Sequence, residues 1–466
     1  MLNYNLKIGL LPVRRYIKEP PKRIGIFQSD YAVENKRKCV EHIKKEYTDG
    51  QTQFVDIDFL NEEGLLYLDA DAEKVADYFR EQKIDALFII NCNFGNENAA
   101  GAVAKRLDVP TLLWGPRDTH FENGIRYTDT QCGLFAISKQ LKRAGVPFSY
   151  INNCDIEDPQ FSEGLRSFFS VATMLRNFRN LRVIQVGTRV APFRSIMYNE
   201  LELAERFGTE IECVNLADAV QELERIYEEK QPALEKDLVK LKNTFDCGSL
   251  DDVYLKKMLA IVYYYRALAE RYDCNIISAE CWTGITSGWG ANPCLAMCLL
   301  AAENIFVTCE WDMHMTITNV LLLSASRGGA KLIQGEFTTR NPQNKNSELL
   351  WHCGPFPLEY KAEDGKKPYL YNTKPSFRLK DGTYTIARFQ CDGGKYYLLG
   401  GKTQTCDGPE TFGTYMWVQF KDLDAVERKL IEGPYIHHMS EVPGDYVREL
   451  REFARLSGIE FDAIEE

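Results

Sequence analysis

Glu310, Glu336, His352 and the adjacent pair His437 and His438 are residue types that bind a divalent ion and move protons beside it. The chain has only six histidines, and three of them fall in this set. Their contexts are Cys309-Glu310-Trp311-Asp312, Gln334-Gly335-Glu336, Trp351-His352-Cys353-Gly354 and Pro434-Tyr435-Ile436-His437-His438. Two carboxylates with imidazoles suit Mn²⁺ or a similar borderline-hard ion. Taken singly, each residue also has an ordinary structural role open to it. Glu310 and Glu336 each follow a short apolar run and fit solvated strand ends, and His352 beside Trp351 fits a hydrogen-bonded core histidine. Neighbouring residues on an extended segment point to opposite faces, so at most one of His437 and His438 faces a given site. By the same alternation Asp312 projects as Glu310 does and competes with it as a ligand.

The order and spacing of the set resemble the L-arabinose and L-fucose isomerase family. There a Glu in a Glu-x-Asp turn, a later acidic residue, a His after a short hairpin and a late His bind Mn²⁺. Glu310-Trp311-Asp312, Glu336, His352 and His438 fit those four elements in order. The likeness extends more weakly over the rest of the chain. Lys7-Ile8-Gly9-Leu10-Leu11-Pro12 with Arg14-Arg15 is similar to the family's opening strand and its trailing arginine. Asn93-Phe94-Gly95-Asn96-Glu97 and Leu113-Trp114-Gly115 resemble two loops of its first domain, and Glu280-Cys281-Trp282 stands where the family has a polar residue near the sugar. The arabinose and fucose branches differ around the late histidine, and this chain copies neither completely, which leaves the sugar open.

The resemblance implies an Mn²⁺-dependent aldose–ketose isomerase, an intramolecular oxidoreductase working through a cis-enediol. It implies Glu310 and Glu336 as proton-transfer pair and metal ligands, with His438 and His352 completing the metal set. Glu310 is preferred to Asp312 on this ground alone. It also implies sugar contacts from Arg15, Phe94, Glu280, Trp282 and His437. The expected partner is a small sugar: L-fucose, L-arabinose or a modified hexose such as a 6-deoxy-6-sulfo (sulfoquinovose-type) sugar. The expected assembly is a homo-oligomer, trimer or hexamer, in which a first-domain loop closes a neighbour's site. Two competing readings are a non-catalytic sugar-binding protein and a metal hydrolase or aldolase with the same ligands.

Elements able to position such a set are visible along the chain. With 45% hydrophobic and 12% aromatic residues, the 466-residue chain has ample material for buried cores, and a prior of roughly 150 residues per domain gives three of them. A net charge of −11 without a basic stripe argues against a nucleic-acid partner. The fourteen cysteines lie scattered, many within apolar runs, with no zinc-ribbon spacing. With no leader-like start and no apolar stretch of about 20 residues, they point to a reduced, cytoplasmic protein with no membrane partner.

Short apolar runs at Leu6 to Leu11, Ile24 to Phe27, Phe54 to Asp58, Ala86 to Ile90 and Thr111 to Trp114 read as strands. They alternate with segments of helical spacing at Val33 to Lys45 and Asp71 to Gln82, the pattern of a parallel sheet with crossover helices. A second such unit begins near Asn180, with strands at Leu181 to Gly187, Glu210 to Val214, Ile276 to Ser278 and Ile305 to Cys309. Its helices read as Glu200 to Phe207 and Leu255 to Arg271. Glu280 and Glu310 then fall just past strand ends, where parallel sheets place ligands. From about Lys331, turns at Asp381-Gly382, Asp392-Gly393-Gly394 and Gly400-Gly401 separate aromatic and β-branched runs, as in an antiparallel barrel, before a last helix at Gly444 to Leu456. The expected architecture is therefore α/β, with two tandem parallel-sheet α/β domains (1–175 and 176–325) followed by an antiparallel β-barrel-like C-terminal domain (326–466).

Overall fold

The computed structural model describes residues 1–17, 26–119, 121–122 and 124–465. The chain divides into two compact units, Tyr4–Arg176 and a second made of Asn177–Glu466 with Met1–Asn3.

The first unit is a five-stranded parallel sheet. Its strands are β1 (Leu6–Val13), β2 (Thr52–Val55), β3 (Ala86–Asn91), β4 (Thr111–Trp114) and β7 (Phe148–Tyr150), in the order β2-β1-β3-β4-β7; β5 (Phe121–Glu122) and β6 (Ile125–Arg126) form a separate small hairpin. Every residue of β3 is buried, as expected of a central strand covered on both faces by helices. The strand order reverses between β1 and β3, and the crevice at such a reversal is where open α/β sheets bind ligands. Arg15 follows β1 and Phe94 follows β3, so both sit at that reversal. The Arg15 guanidinium lies 4.4 Å from the Phe94 ring centroid, and its backbone N–H donates to Asn93 Oδ1 at 2.8 Å. The expected strand at Ile24 to Phe27 lies partly outside the described residues, and Ile26 and Phe27 form a turn. The strand expected at Phe54 to Asp58 sits earlier, at Thr52–Val55, because Asp56 turns the chain by accepting from the Asp58 N–H.

The second unit opens on a parallel sheet of β8 (Arg182–Val186), β9 (Glu210–Val214), β10 (Ile276–Ala279) and β11 (Phe306–Thr308), in the order β11-β10-β8-β9. Between β9 and β10 the helix Asp252–Arg271 was expected, whereas Leu216–Glu229 and Gln231–Thr244 were missed under their heavy charge. The chain then enters a closed antiparallel barrel of six strands: β12 (Ile333–Arg340), β13 (Ser347–His352), β16 (Thr383–Asp392), β17 (Lys395–Cys406), β18 (Thr414–Gln419) and β19 (His438–Pro443). β14 (Tyr369–Tyr371) and β15 (Lys374–Arg378) extend the sheet beyond β18, and β20 (Glu460–Ala463) adds in parallel to β17. The expected fold class is thus the observed one. No single helix among the described residues is long and apolar enough to cross a membrane.

Asp392-Gly393-Gly394 makes the β16–β17 hairpin as expected. Both glycines have positive φ, 56° and 76°, as a tight turn with the sheet's own twist requires. Gly400-Gly401 is not a turn but the middle of β17. A Cβ on Gly400 would stand 2.9 Å from the Phe461 ring and one on Gly401 2.7 Å from Ile464, so the missing side chains let β20 close onto the barrel. The last helix runs Val447–Ser457.

One helix joins the sheet to the barrel. Met313–Ala325 leaves β11 and is buried at every position, although it carries His314, Thr316, Thr318 and Asn319. Its polar groups act as ties: Asn319 Nδ2 donates to Thr308 Oγ1 at 3.0 Å, Ser440 Oγ donates to Asn319 Oδ1 at 2.6 Å, and Thr318 Oγ1 accepts from the Phe389 N–H at 2.8 Å. The ends of β11, β16 and β19 are thereby fixed to one another.

Glu441 in β19 is completely buried, and neither carboxylate oxygen has a hydrogen-bond partner. Burial pushes its pKa from 4.5 up to about 8. A folded-state pKa above the unfolded value gives a contribution to stability that is complete below about pH 4.5 and is lost as the pH rises through about 8. The wild-type protein should therefore lose on the order of a few kcal/mol across that window, and Glu441→Gln should remove most of the loss. Urea denaturation at pH 5, 7 and 8.5 checks this; a constant stability difference between the two proteins would contradict it.

Candidate active site

Glu310 reaches the site through an unusual turn. After β11, Glu310 and Trp311 take left-handed backbone conformations in succession, at φ 61° and 63°. Each costs a non-glycine residue on the order of 1–3 kcal/mol, and such strain gathers at functional positions. The next residue, Asp312, returns to extended geometry and caps the buried helix by accepting from the Met315 N–H at 3.0 Å. The turn thus separates two carboxylates that simple alternation would have placed together.

Glu336 and His438 come from the barrel. They are direct cross-strand partners in the β12–β19 ladder, so their side chains share one face. Gln334, two residues before Glu336, ties this strand to the parallel sheet: its Oε1 accepts from the Cys309 N–H at 3.2 Å and its Nε2 donates to Val307 O at 2.9 Å. Glu310, Glu336 and His438 each offer a ligand atom within 4.8 Å of the others. Glu310 Oε2 and His438 Nε2 stand 3.1 Å apart, yet both are buried without a hydrogen-bond partner. Converging lone pairs with no donor between them are what a cation site presents, and the oxygen and nitrogen donors fit an ion of the manganese class.

Behind His438 lies a buried relay. Its Nδ1 is 2.9 Å from Asp312 Oδ2, and Asp312 in turn accepts from both terminal nitrogens of Arg388, at 2.6 and 3.2 Å. Arg388 also donates to Gln390 Oε1, and both members of the ion pair have no solvent exposure. Burial would raise the Asp312 carboxyl, but Arg388 and His438 hold it well below the usual carboxylate range. Burial would likewise lower the His438 imidazole, but Asp312 and Glu310 carry it up to about 9. Arg388, His438 and the helix N-terminus occupy the oxygens of Asp312, which thereby orients the His438 ring.

His352 ends β13 with Nε2 3.2 Å from Glu336 Oε1. Its Nδ1 accepts the Cys353 N–H at 2.8 Å, while Cys353 and Glu336, against the effect of burial, draw its proton affinity up to about 10. His352 Nε2 faces Glu336 without forming a hydrogen bond. Burial raises the Glu336 carboxyl above its ordinary value, while His352 and His438 oppose the rise.

The other expected residues fall around this cluster in different ways. Trp282 lies in the turn after β10, and its indole N–H donates to Glu310 Oε1 at 3.1 Å. Phe193, unremarked in the sequence, packs edge-on against Trp282, His437 and His438. His437 is exposed, whereas His438 is buried. Glu280 is held between two loops: Oε2 accepts from the Thr188 N–H, after β8, at 2.8 Å and Oε1 from Thr283 Oγ1, after β10, at 2.8 Å. Trp311 donates to Gly187 O at 3.2 Å. Arg15 and Phe94 meet each other in the first unit. Sequence reasoning did not find Arg388, Gln334 or Asn319. Arg388 left one trace, a charge in the otherwise apolar run Ile386 to Phe389, which at a buried strand position demands a buried partner.

Comparison with known proteins adds an independent line. Residues 21–179 match a family model described as the N-terminal domain of fucose/sulfoquinovose isomerase. A sulfoquinovose isomerase of Alkalicoccus urumqiensis is 24% identical over 393 residues, covering 82% of this chain and 86% of the relative. A sulfoquinovose isomerase of Priestia aryabhattai is 22% identical over 396 residues, with the same coverage. Both findings support the family to which the motifs are similar.

Replacing Asp312 tests the relay. Asp312→Asn keeps the shape but removes the charge behind His438 and should weaken Mn²⁺ binding roughly 10- to 100-fold. Asp312→Ala strands Arg388 in the core and should cost about 3–5 kcal/mol of stability. Titration calorimetry and thermal unfolding measure the two effects, and an unchanged Mn²⁺ Kd in Asp312→Asn would refute the orienting role.

Proposed function

We infer that this chain is an aldose–ketose isomerase of the L-fucose isomerase family, an intramolecular oxidoreductase in which Glu310 and Glu336 transfer the protons. The observation that carries this reading is the convergence of Glu310, Glu336 and His438 within 4.8 Å of one another, with Glu310 Oε2 and His438 Nε2 buried and unpartnered among the described residues. Moving a carbonyl from C1 to C2 requires removing a proton from C2, a carbon acid made strong enough only if the charge developing on O1 and O2 is neutralised. A bound Mn²⁺ would supply that neutralisation, with Glu310, Glu336 and His438 as ligands and His352 as a fourth ligand or an orienting donor.

The proton work belongs to the chain's own groups. A carboxylate whose proton affinity is raised by burial, as at Glu336, is better matched to taking and returning a proton near neutral pH than an ordinary one. Glu310 stands across from it, its Oε1 held by the Trp282 indole so that Oε2 turns inward. Together they serve the two faces of a planar cis-enediol. Trp282 and Phe193 offer apolar surface for the sugar, and the exposed His437 lies at the same wall.

The relatives' names support a 6-deoxy-6-sulfo hexose as substrate in preference to L-fucose or L-arabinose. A trimer or hexamer, with a neighbour's Arg15 and Phe94 completing each site, belongs to the same reading. Among the described residues all fourteen cysteines are free, which supports a reduced cytoplasmic setting.

Incubating the Mn²⁺-loaded protein in D₂O with sulfoquinovose, L-fucose, L-arabinose, D-arabinose and D-glucose and following C2 deuteration by NMR tests the chemistry and the sugar together. Deuteration with ketose formation is expected for sulfoquinovose; products of altered mass would indicate a hydrolase or aldolase instead. Glu310→Gln and Glu336→Gln should each abolish turnover while the oligomer stays folded, and wild-type activity in either would overturn the assignment. EDTA should inactivate, and Mn²⁺ should restore activity better than Mg²⁺.

A further inference from the structure

Four buried or half-buried cysteines converge beside the candidate active site, and the proton-transfer chemistry uses none of them. Cys294 Sγ lies 3.4 Å from Cys353 Sγ, and Cys309 Sγ lies 3.6 Å from Cys281 Sγ. Cys309, Cys353 and His352 each offer a ligand atom within 4.8 Å of the others, and His352 Nδ1 is 3.3 Å from Cys353 Sγ. We propose that Cys309, Cys353 and His352 form a second metal site that takes a thiophilic cation of the zinc class, with the Cys294 thiol, in contact with Cys353, moving in as the fourth ligand.

The spacing carries the argument. A tetrahedral zinc with Zn–S bonds of about 2.3 Å holds its sulfurs roughly 3.8 Å apart; Cys309, Cys353 and His352 already stand within 4.8 Å of one another, and Cys294 Sγ lies 3.4 Å from Cys353 Sγ. Three cysteines and one histidine are also a common structural zinc set. The sulfurs arrive from separate elements: Cys294 opens the helix Cys294–Leu300, Cys309 follows β11, and Cys353 follows β13. Gly354 makes the approach possible, because a Cβ there would stand 2.6 Å from Cys294 Cβ. Cys281 then lies behind Cys309, where its thiol donates to a coordinated sulfur.

Softness sorts the ions between neighbouring sites. Carboxylates and one imidazole at Glu310, Glu336 and His438 favour a harder ion, whereas thiolates favour Zn²⁺, Cd²⁺ or Cu⁺. His352 links the two, with Nδ1 toward Cys353 and Nε2 toward Glu336. A cation on the sulfurs takes the Nδ1 lone pair from the Cys353 N–H and reorients the ring beside Glu336. Inhibition by such an ion, not relieved by excess Mn²⁺, follows if the isomerase reading is right; the binding itself does not depend on that reading.

Cd²⁺ is the probe. Added to the full-length, Mn²⁺-loaded protein, it should give a cadmium–thiolate charge-transfer band in the ultraviolet that saturates at one Cd²⁺ per chain. It should also protect buried thiols from a thiol reagent. Cys309→Ser and Cys353→Ser should each lose the band, with circular dichroism and oligomer size showing that each variant is folded. Glu336→Gln should keep the band, so loss of isomerase activity and loss of this site are separately visible. Absence of both band and protection in the wild-type protein overturns the proposal. So does a band that survives unchanged in the two serine variants, which would assign the cadmium to other thiols.

Discussion

The buried carboxylate of Asp312 is the constraint on which the site rests. It caps the helix Met313–Ala325, neutralises a fully buried Arg388 on β16 and orients His438 on β19. Sheet, helix and barrel therefore meet at one anion. Removing two charges from water costs several kcal/mol per ion, and the cost is offset only when every donor and acceptor is used. Here the used groups include the imidazole that faces Glu310. Stability and site geometry share a single hydrogen-bonded unit, so His438 is held as firmly as the core itself.

The left-handed pair Glu310-Trp311 follows from that arrangement. If Asp312 is to cap the helix and face the barrel, the residue two before it must be turned away from the same direction, and two consecutive positive-φ residues do so. The strain is held by contacts on both sides: Trp282 on Glu310, Gly187 on Trp311 and the cap on Asp312. Buried ties at Gln334 and Asn319 then bring β12 and β19 to this turn. The resulting cluster depends on no long flexible side chain.

Much of this organisation was legible from residue order. Strands with two buried faces left apolar runs at Ala86 to Ile90 and Ile276 to Ser278, and the glycine pair Gly393-Gly394 marked a hairpin. The metal-type residues stood out because histidines are rare in this chain and acidic residues after apolar runs are conspicuous. What sequence could not supply was direction. Alternation placed Asp312 beside Glu310, because nothing local signals two successive left-handed residues. Gly400-Gly401 resembled a turn, because the reason for glycine there is a strand some sixty residues later. Arg388 and Gln334 act through partners far along the chain, and a single sequence does not reveal pairing. The helices Leu216–Glu229 and Gln231–Thr244 were masked by charge on their exposed faces.

The pairing of Glu336 opposite His438 ties folding fidelity to the geometry of the site. Side chains alternate between the faces of a strand, so a slip of one residue between β12 and β19 would send one of the two to the other face while leaving nearly all backbone hydrogen bonds intact. Such a misregistered barrel would look normal by secondary-structure content and compactness and yet lack the cluster of Glu310, Glu336 and His438. Closure of the barrel makes the slip costly, because both strands are also locked to β13 and β16. The site thus serves as an internal gauge of strand register, able to separate correctly threaded molecules from well-folded impostors in a refolded population.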